Sequence, residues 1–190
     1  AGNFESLQAA LDNGCDSVYF GVEQLNMRAR ASVNFTMDDL AEIAKRCEAK
    51  NVRSYLTLNT IIYDHDLSVV KTLINKAKEA NITAVIASDQ AVIAMARSVG
   101  MEVHISTQLN VTNIETIKFY SLFADTMVLS RELSLRQVKK ITEQIEKEQI
   151  KGPNGNLVEI EIFGHGALCM AVSGKCYLSL HSHNSSANRG

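Results

Sequence analysis

Cys169 and Cys176 stand at the two ends of a stretch rich in small residues. Gly164-His165-Gly166-Ala167-Leu168 leads into the first, and Ser173-Gly174-Lys175 leads into the second. Both belong to a longer pattern, E-x-F-x-x-G-A-L-C-x-x-x-x-G-x-C-x-L-S, from Glu161 to Ser179. Glycine lets the backbone curl tightly enough for two thiols to converge. Thiolates near Lys175 and backbone N–H groups are favoured as metal ligands, which makes Cys169 and Cys176 the candidate metal-binding pair. Two thiolates do not complete a zinc or iron–sulfur site, which usually takes about four ligands. The same residues also suit a thiol nucleophile, because His165 stands close to Cys169 in sequence and an imidazole can activate a thiol. Inert packing is a third reading. A disulfide fits less well, since four cysteines in a chain of this composition point to a reducing compartment rather than to a disulfide scaffold.

A second set of candidates comes from strand ends. Alternate residues of a strand face opposite sides. Val158, Ile160 and Ile162 then share one side of one strand, with Glu159, Glu161, Phe163 and His165 on the other. Val103 and Ile105 oppose Glu102, His104, Ser106 and Gln108, and Leu56 and Leu58 oppose Tyr55, Thr57 and Asn59. With the apolar side packed under helices, the polar side points inward, and buried carboxylates there need partners. Asn59, Asp89, Ser106, Gln108, Asn110, Arg131, Glu132 and His165 fall at C-terminal strand ends, where barrels place their chemistry. His165, Glu161, Arg131, Glu132 and Gln108 are the candidate catalytic residues. Each candidate also has a structural reading. Glu159 and Glu161 can form interior ion pairs, Asp89 can cap the following helix, His104 can be a satisfied interior histidine, and Arg131 and Glu132 can pair with neighbouring charges. Cys15 and Cys47 read as packing residues, and His181-x-His183 as an exposed polar loop.

The elements that must carry these residues alternate. Short β-branched runs at 17–20, 52–58, 84–87, 102–106, 126–129 and 158–163 are separated by amphipathic stretches. A helix opens the chain on Phe4, Leu7 and Leu11, and another carries Leu40, Ile43, Ala44 and Cys47 on one face. Thr36-x-x-Asp39 and Ser134-x-x-Gln137 are capping boxes. Further helices fall at 67–77, 90–98, 113–122 and 135–145, and the polar residues from His181 onward lack periodicity. Six strands reached through six helices predict a parallel α/β sheet. Gly21-Val22-Glu23 stands where a dinucleotide fold carries G-x-G-x-x-G. A doubly wound open sheet is therefore less favoured than an incomplete (β/α) TIM-type barrel of about six parallel βα units. The chain reads as a single partial barrel domain over residues 1–190, a fragment of a longer protein with the first and last units missing.

Composition narrows the class. The chain is 46% hydrophobic and 21% charged, as in an ordinary globular protein, and its formal net charge of −2 provides no overall basic footprint for nucleic acid. No apolar run approaches the roughly 18 residues of a membrane span, so no membrane association is expected, and the expected location is cytoplasmic.

Glu161, Phe163, Gly166, Ala167, Leu168, Cys169, Gly174, Cys176, Leu178 and Ser179 together resemble the signature of the collagenase-like peptidases, a family of unassigned catalytic type. Ala1-Gly2-Asn3 resembles the segment after that family's first strand. Val18-Tyr19-Phe20-Gly21, Leu58-Asn59, Ser88-Asp89-Gln90, Ser106-Thr107-Gln108 and Ser130-Arg131-Glu132-Leu133 resemble its later strand ends, so the likeness spans nearly the whole chain. It implies a barrel-type enzyme. By the family's naming the activity is peptide hydrolysis, at a site around Cys169 and Cys176. The alternative it implies is hydroxylation of an RNA base or a small aromatic substrate. There an iron–sulfur cluster sits on cysteines matching Cys169 and Cys176, with its remaining ligands outside this chain. The substrate is then a peptide or an RNA. A non-catalytic binding scaffold is the third expectation.

Overall fold

The computed structural model describes residues 1–23, 25–27, 34–166, 169–184 and 186–189, without the side chains of residues 178, 179, 183 and 187. Six parallel strands lie side by side in chain order: β1 Ser17–Phe20, β2 Arg53–Leu58, β3 Ala84–Ala87, β4 Glu102–Ile105, β5 Thr126–Val128 and β6 Glu159–Glu161. Sequential parallel order with a helix in each crossover is the arrangement of a (β/α) barrel. The six strands make an incomplete one.

The helices are α1 Phe4–Asp12, α2 Leu40–Glu48, α3 Leu67–Glu79, α4 Gln90–Ser98, α5 Ile114–Tyr120, α6 Leu135–Glu148 and α7 Leu178–His183. Their starts follow local chemistry. The Asn3 side chain accepts the N–H of Ser6, that of Asp89 the N–H of Ala91, and that of Asn113 the N–H of Thr116. Both expected capping boxes form, at Thr36/Asp39 and Ser134/Gln137, the former through a 3₁₀ turn ahead of α2. Helices α1 to α6 lay their apolar stripes on the sheet, as Leu40, Ile43, Ala44 and Cys47 of α2 do. Cys47 is buried, and burial followed by the neighbouring Cys15 pushes its thiol pKa up, so it stays protonated and inert.

The main core lies between sheet and helices, where Phe20, Leu56, Leu58, Val85, Val103, Ile105 and Met127 meet the helical stripes. The opposite sheet face carries a separate small cluster of Tyr55, Ala84 and Ile86. This inner face is less polar than the strand alternation alone predicts, because β3 contributes Ala84 and Ile86 to it. His104 is 2% exposed there; its Nε2 lies 2.8 Å from Glu102 Oε1 and its ring 4.5 Å from that of Tyr55. The His104 contact holds the Glu102 carboxyl below its ordinary range against the opposing effect of burial. The interior-histidine reading holds for one nitrogen; Nδ1 has no hydrogen-bond partner among the described residues.

Two sequence expectations change. The last strand is shorter than residues 158–163, since its ladder ends where β5 ends and Ile162 and Phe163 are exposed. The C-terminal stretch does not lack structure: α7 is followed by a 3₁₀ turn at Ala187–Arg189 that folds back to the loop after β2. The backbone N–H of Ile61 donates to the Asn188 carbonyl at 2.9 Å, and the Arg189 guanidinium donates to Asp66 Oδ2 at 2.7 Å and to the Ile61 carbonyl at 2.6 Å. The same guanidinium lies 4.3 Å from the Tyr63 ring centroid. This latch was invisible to periodicity because it joins residues more than a hundred positions apart.

The latch has a defined pH response. Arg189, then the Tyr63 N–H, hold the Asp66 carboxyl below its ordinary value of 3.8. A depressed folded-state pKa means that the ion pair contributes fully above the ordinary carboxylate range and is lost as pH falls through the lowered value. An NMR titration following the Ile61 amide should therefore show a transition below about pH 4, as the Asp66 carboxyl takes up its proton. Asp66→Asn should remove that transition.

Candidate functional site

The loops at the C-terminal ends of β2, β3 and β4 enclose a cleft of about 330 Å³. Asn59, Thr60 and Ile61 come from the first loop, Ser88, Asp89 and Gln90 from the second, and Gln108 and Leu109 from the third. Asn188 of the C-terminal latch and Gly174 close two further sides. The position follows from barrel geometry, in which strand ends converge and helix starts face the opening. Carboxamides dominate the polar wall. The Asn59 Oδ1 accepts the Met27 N–H at 3.3 Å, whereas the side chains of Gln90, Gln108 and Asn188 make no hydrogen bond among the described residues. Among the described residues Asp89 is the one charged residue lining the cleft, and both its oxygens are occupied, by the N–H groups of Ala91 at 2.8 Å and Ile62 at 3.2 Å. It caps α4, as expected, and is poorly placed to act as a base.

Gly174 belongs to the cysteine segment. Residues 172–175 form a tight turn, with the Lys175 N–H donating to the Val172 carbonyl at 2.9 Å and Gly174 at φ +75°. The turn packs so closely on the loop after β4 that a Cβ on Gly174 would lie 2.1 Å from the Gln108 carbonyl oxygen. Gly164 and Gly166 face open space, so the required glycine is Gly174.

Arg131 and Glu132, in the loop after β5, grip the same turn. The Arg131 guanidinium donates to the Ala171 carbonyl at 2.9 Å and to the Cys169 carbonyl at 3.5 Å. The Arg131 N–H donates to Ser173 Oγ at 3.3 Å, and Glu132 Oε1 accepts the Ser173 N–H at 2.8 Å. Ser173 is fully buried. Burial is the largest single influence on Glu132 and works against its charge, but the N–H groups of Ser173 and of Glu132 itself, the Ser173 hydroxyl and the nearby Arg131 together outweigh it and hold the carboxyl below its ordinary range. Arg131 and Glu132 thus hold the turn through hydrogen bonds, and among the described residues neither forms an ion pair, unlike the structural alternative drawn from sequence. Arg131→Ala should loosen the turn without unfolding the barrel. Amide exchange at Ser173 and Lys175 should speed up roughly tenfold, the scale of one hydrogen bond to a charged group, with an unchanged thermal midpoint.

The other candidates disperse. Cys169 is exposed and Cys176 half-buried, and neither is in a disulfide. Among the described residues no three His, Cys, Asp or Glu side chains gather as a metal-holding group. His165 is exposed after β6 and makes no hydrogen bond or ion pair among the described residues. Glu161 is half-buried on β6 opposite Val128, away from the cleft wall. Among the described residues neither Glu159 nor Glu161 forms the interior ion pair that sequence allowed. Ser106 caps the turn containing Gln108, and Asn110 accepts the Ser130 hydroxyl at 2.6 Å. Ala167 and Leu168 of the signature lie outside the described residues, as do the side chains of Leu178, Ser179 and His183. Sequence reasoning gave no role to Gln90 or Ser173, which it met only inside longer motifs, and did not reach Thr60 or Asn188. Only Gln90 carried a signal, its place directly after a helix cap.

Among the described residues no helix is long and apolar enough to cross a membrane. The chain spans less than half the length of the curated relatives it matches. It is 59% identical over 189 residues to a Porphyromonas gingivalis protein named "Collagenase", covering 100% of this chain and 46% of that protein. It is 31% identical over 193 residues to a Bacillus subtilis protein named "tRNA hydroxylation protein P1", covering 100% of this chain and 43% of that one. The solved structure of the U32 peptidase Mk0906 superposes with a TM-score of 0.58 at 15% identity, covering 85% of this chain and 64% of that chain, a likeness of fold. The model of Peptidase family U32 matches residues 2–190, and with the barrel and the cysteine turn in place the chain belongs to that family.

Proposed function

We propose that this chain carries the substrate-holding segment of a U32 enzyme that hydroxylates an RNA base. The observation that supports this reading is the meeting of two features at Gly174 and Gln108: a cleft walled by carboxamides, and a turn bearing two cysteines and braced by Arg131 and Glu132. A relative named for tRNA hydroxylation aligns with the entire chain. Cys169 and Cys176 are soft donors suited to iron–sulfur ligation. They fit half of a four-ligand set, so the other ligands belong, in this proposal, to the remainder of the protein. When bound, such a cluster supplies one-electron chemistry. The chain's own residues hold the turn rigid and seat the substrate beside it. An RNA partner and a cytoplasmic location go with this reading.

Peptide hydrolysis is the second reading, favoured by the name of the 59% identical relative. A thiol mechanism needs an imidazole within reach of the nucleophile. His165, four positions before Cys169, is the residue that would have to swing to it.

Nucleoside analysis of RNA from a strain lacking the full-length protein tests the proposal. The expected result is loss of one hydroxylated nucleoside, restored by the wild-type gene. An unchanged nucleoside profile, together with metal-free protein that digests gelatin, would overturn it in favour of the peptidase.

A further inference from the structure

Arg131 and Glu132 are candidate catalytic residues by sequence, yet neither side chain lines the cleft. Both are committed to one stretch of backbone. The Arg131 guanidinium reaches the carbonyls of Cys169 and Ala171 through two separate nitrogens. The Glu132 carboxylate accepts the N–H and the hydroxyl of Ser173 together with its own N–H. The Arg131 N–H donates to the Ser173 hydroxyl oxygen, so this buried serine is held from both sides. A carboxylate that several donors stabilise in its charged form is a weak base. A guanidinium does not give up its proton at all.

The loop that carries the two residues is itself tied down. The Leu129 N–H donates to the Glu161 carbonyl at 2.9 Å and the Ser130 N–H to the Val111 carbonyl at 3.0 Å. Ser130 Oγ donates to Asn110 Oδ1 at 2.6 Å, and Thr107 Oγ1 to the Leu129 carbonyl at 3.4 Å. The loops after β4 and β5 therefore form one support. The cysteine turn is seated on it at Gly174 and clamped to it at Cys169, Ala171 and Ser173. Every one of these anchor points lies in the segment that joins the two thiols. Groups that hold a metal ligand's backbone and orientation from outside set how well the ligand binds.

We infer that Arg131 and Glu132 are positioning residues for the Cys169–Cys176 pair, fixing where the two thiols stand, and carry no proton to or from the substrate. This role rests on the ligation reading of the thiols and deepens it by naming what holds them in register. Conservative variants separate holding from catalysis. Glu132→Gln keeps an oxygen for the Ser173 N–H but is no base. Arg131→Lys keeps the charge but loses the planar fork that spans two carbonyls.

The test uses full-length protein purified without oxygen, as wild type, Arg131→Ala, Arg131→Lys, Glu132→Ala and Glu132→Gln. Three quantities are read: iron retained against a chelator, alkylation of Cys176 once iron is stripped, and the hydroxylated nucleoside in RNA of cells carrying each variant. Both alanine variants should hold iron about 10- to 100-fold more weakly, the scale for loss of an outer partner. Their Cys176 should alkylate about tenfold faster, the scale of one hydrogen bond to a charged group. Glu132→Gln should stay close to wild type in both measurements, with Arg131→Lys between it and the alanine variants. In every variant the nucleoside should fall no further than the iron does. A Glu132→Gln protein that keeps its iron yet loses about 100-fold or more of the nucleoside would overturn the inference, because that is the scale of a general acid or base. Alanine variants with wild-type iron retention and wild-type alkylation would overturn it too. Iron-free wild-type protein removes the ligation reading alone. Alkylation then decides the positioning role: faster in the alanine variants and not in Glu132→Gln supports it, and equal rates throughout reject it. Wild-type protein that holds iron in cells lacking a hydroxylated nucleoside removes the RNA reaction, and iron retention with alkylation decides the role in the same way.

Discussion

Serine at position 169 or at position 176 is expected to abolish product formation by the full-length protein to the same extent. Ligands act as a set: a site that loses one thiolate loses its metal. The expected fall therefore exceeds the roughly 10- to 100-fold that follows loss of an outer partner. Iron and sulfide content measured on protein purified without oxygen should fall in both variants alongside the hydroxylated nucleoside. The peptidase reading makes a different forecast. One nucleophile suffices there, so Cys169→Ser should be inactive while Cys176→Ser keeps most of its activity. Equal loss with loss of iron supports ligation; unequal loss in metal-free protein rejects it. The structure makes the comparison clean, since Cys169 is exposed and Cys176 only half-buried, so neither serine leaves a large core cavity.

The second large effect is expected at Gly174. An alanine there meets the Gln108 carbonyl at 2.1 Å while the backbone is held at φ +75°. The left-handed conformation alone costs an L-residue about 1–2 kcal/mol, and the contact cannot be relieved by rotating a side chain because the neighbour is backbone. The turn must leave the loop after β4, taking Ser173 from its pocket between Arg131 and Glu132. Gly155→Ala is the control. Its φ of +81° carries the same backbone cost, but nothing lies within 4 Å of the new methyl. Urea unfolding of both variants should show a loss of about 1 kcal/mol for Gly155→Ala and a larger one for Gly174→Ala. Faster alkylation of Cys176 should appear in Gly174→Ala only. Equal behaviour of the two would mean that the turn is not seated on Gln108.

The two effects share an origin in how the turn is held. Its own sequence supplies the glycine, but its position is set by groups some forty residues upstream on the loop after β5 and further still on the loop after β4. Ligation or nucleophilic attack each need the sulfur atoms fixed relative to the substrate, and rigid scaffold ends supply that better than a free loop does.

What the sequence determined by itself was local. The helix starts at Asn3, Thr36, Asp89, Asn113 and Ser134 rest on hydrogen bonds spanning two or three residues. The strand and helix periods show directly in runs such as Val85-Ile86 and Leu40-Ile43-Ala44-Cys47. The parallel order of strands followed from their alternation with helices, and the cysteine signature marked its segment before any coordinates. The tertiary structure alone decided that Arg131 and Glu132 hold the backbone of the cysteine turn, and that Asn188 and Arg189 return to the loop after β2. Those contacts join residues about 40 to 130 positions apart. Their partners are chosen by which strand ends the barrel brings to one rim, and a period of two or of 3.6 residues carries no information about that.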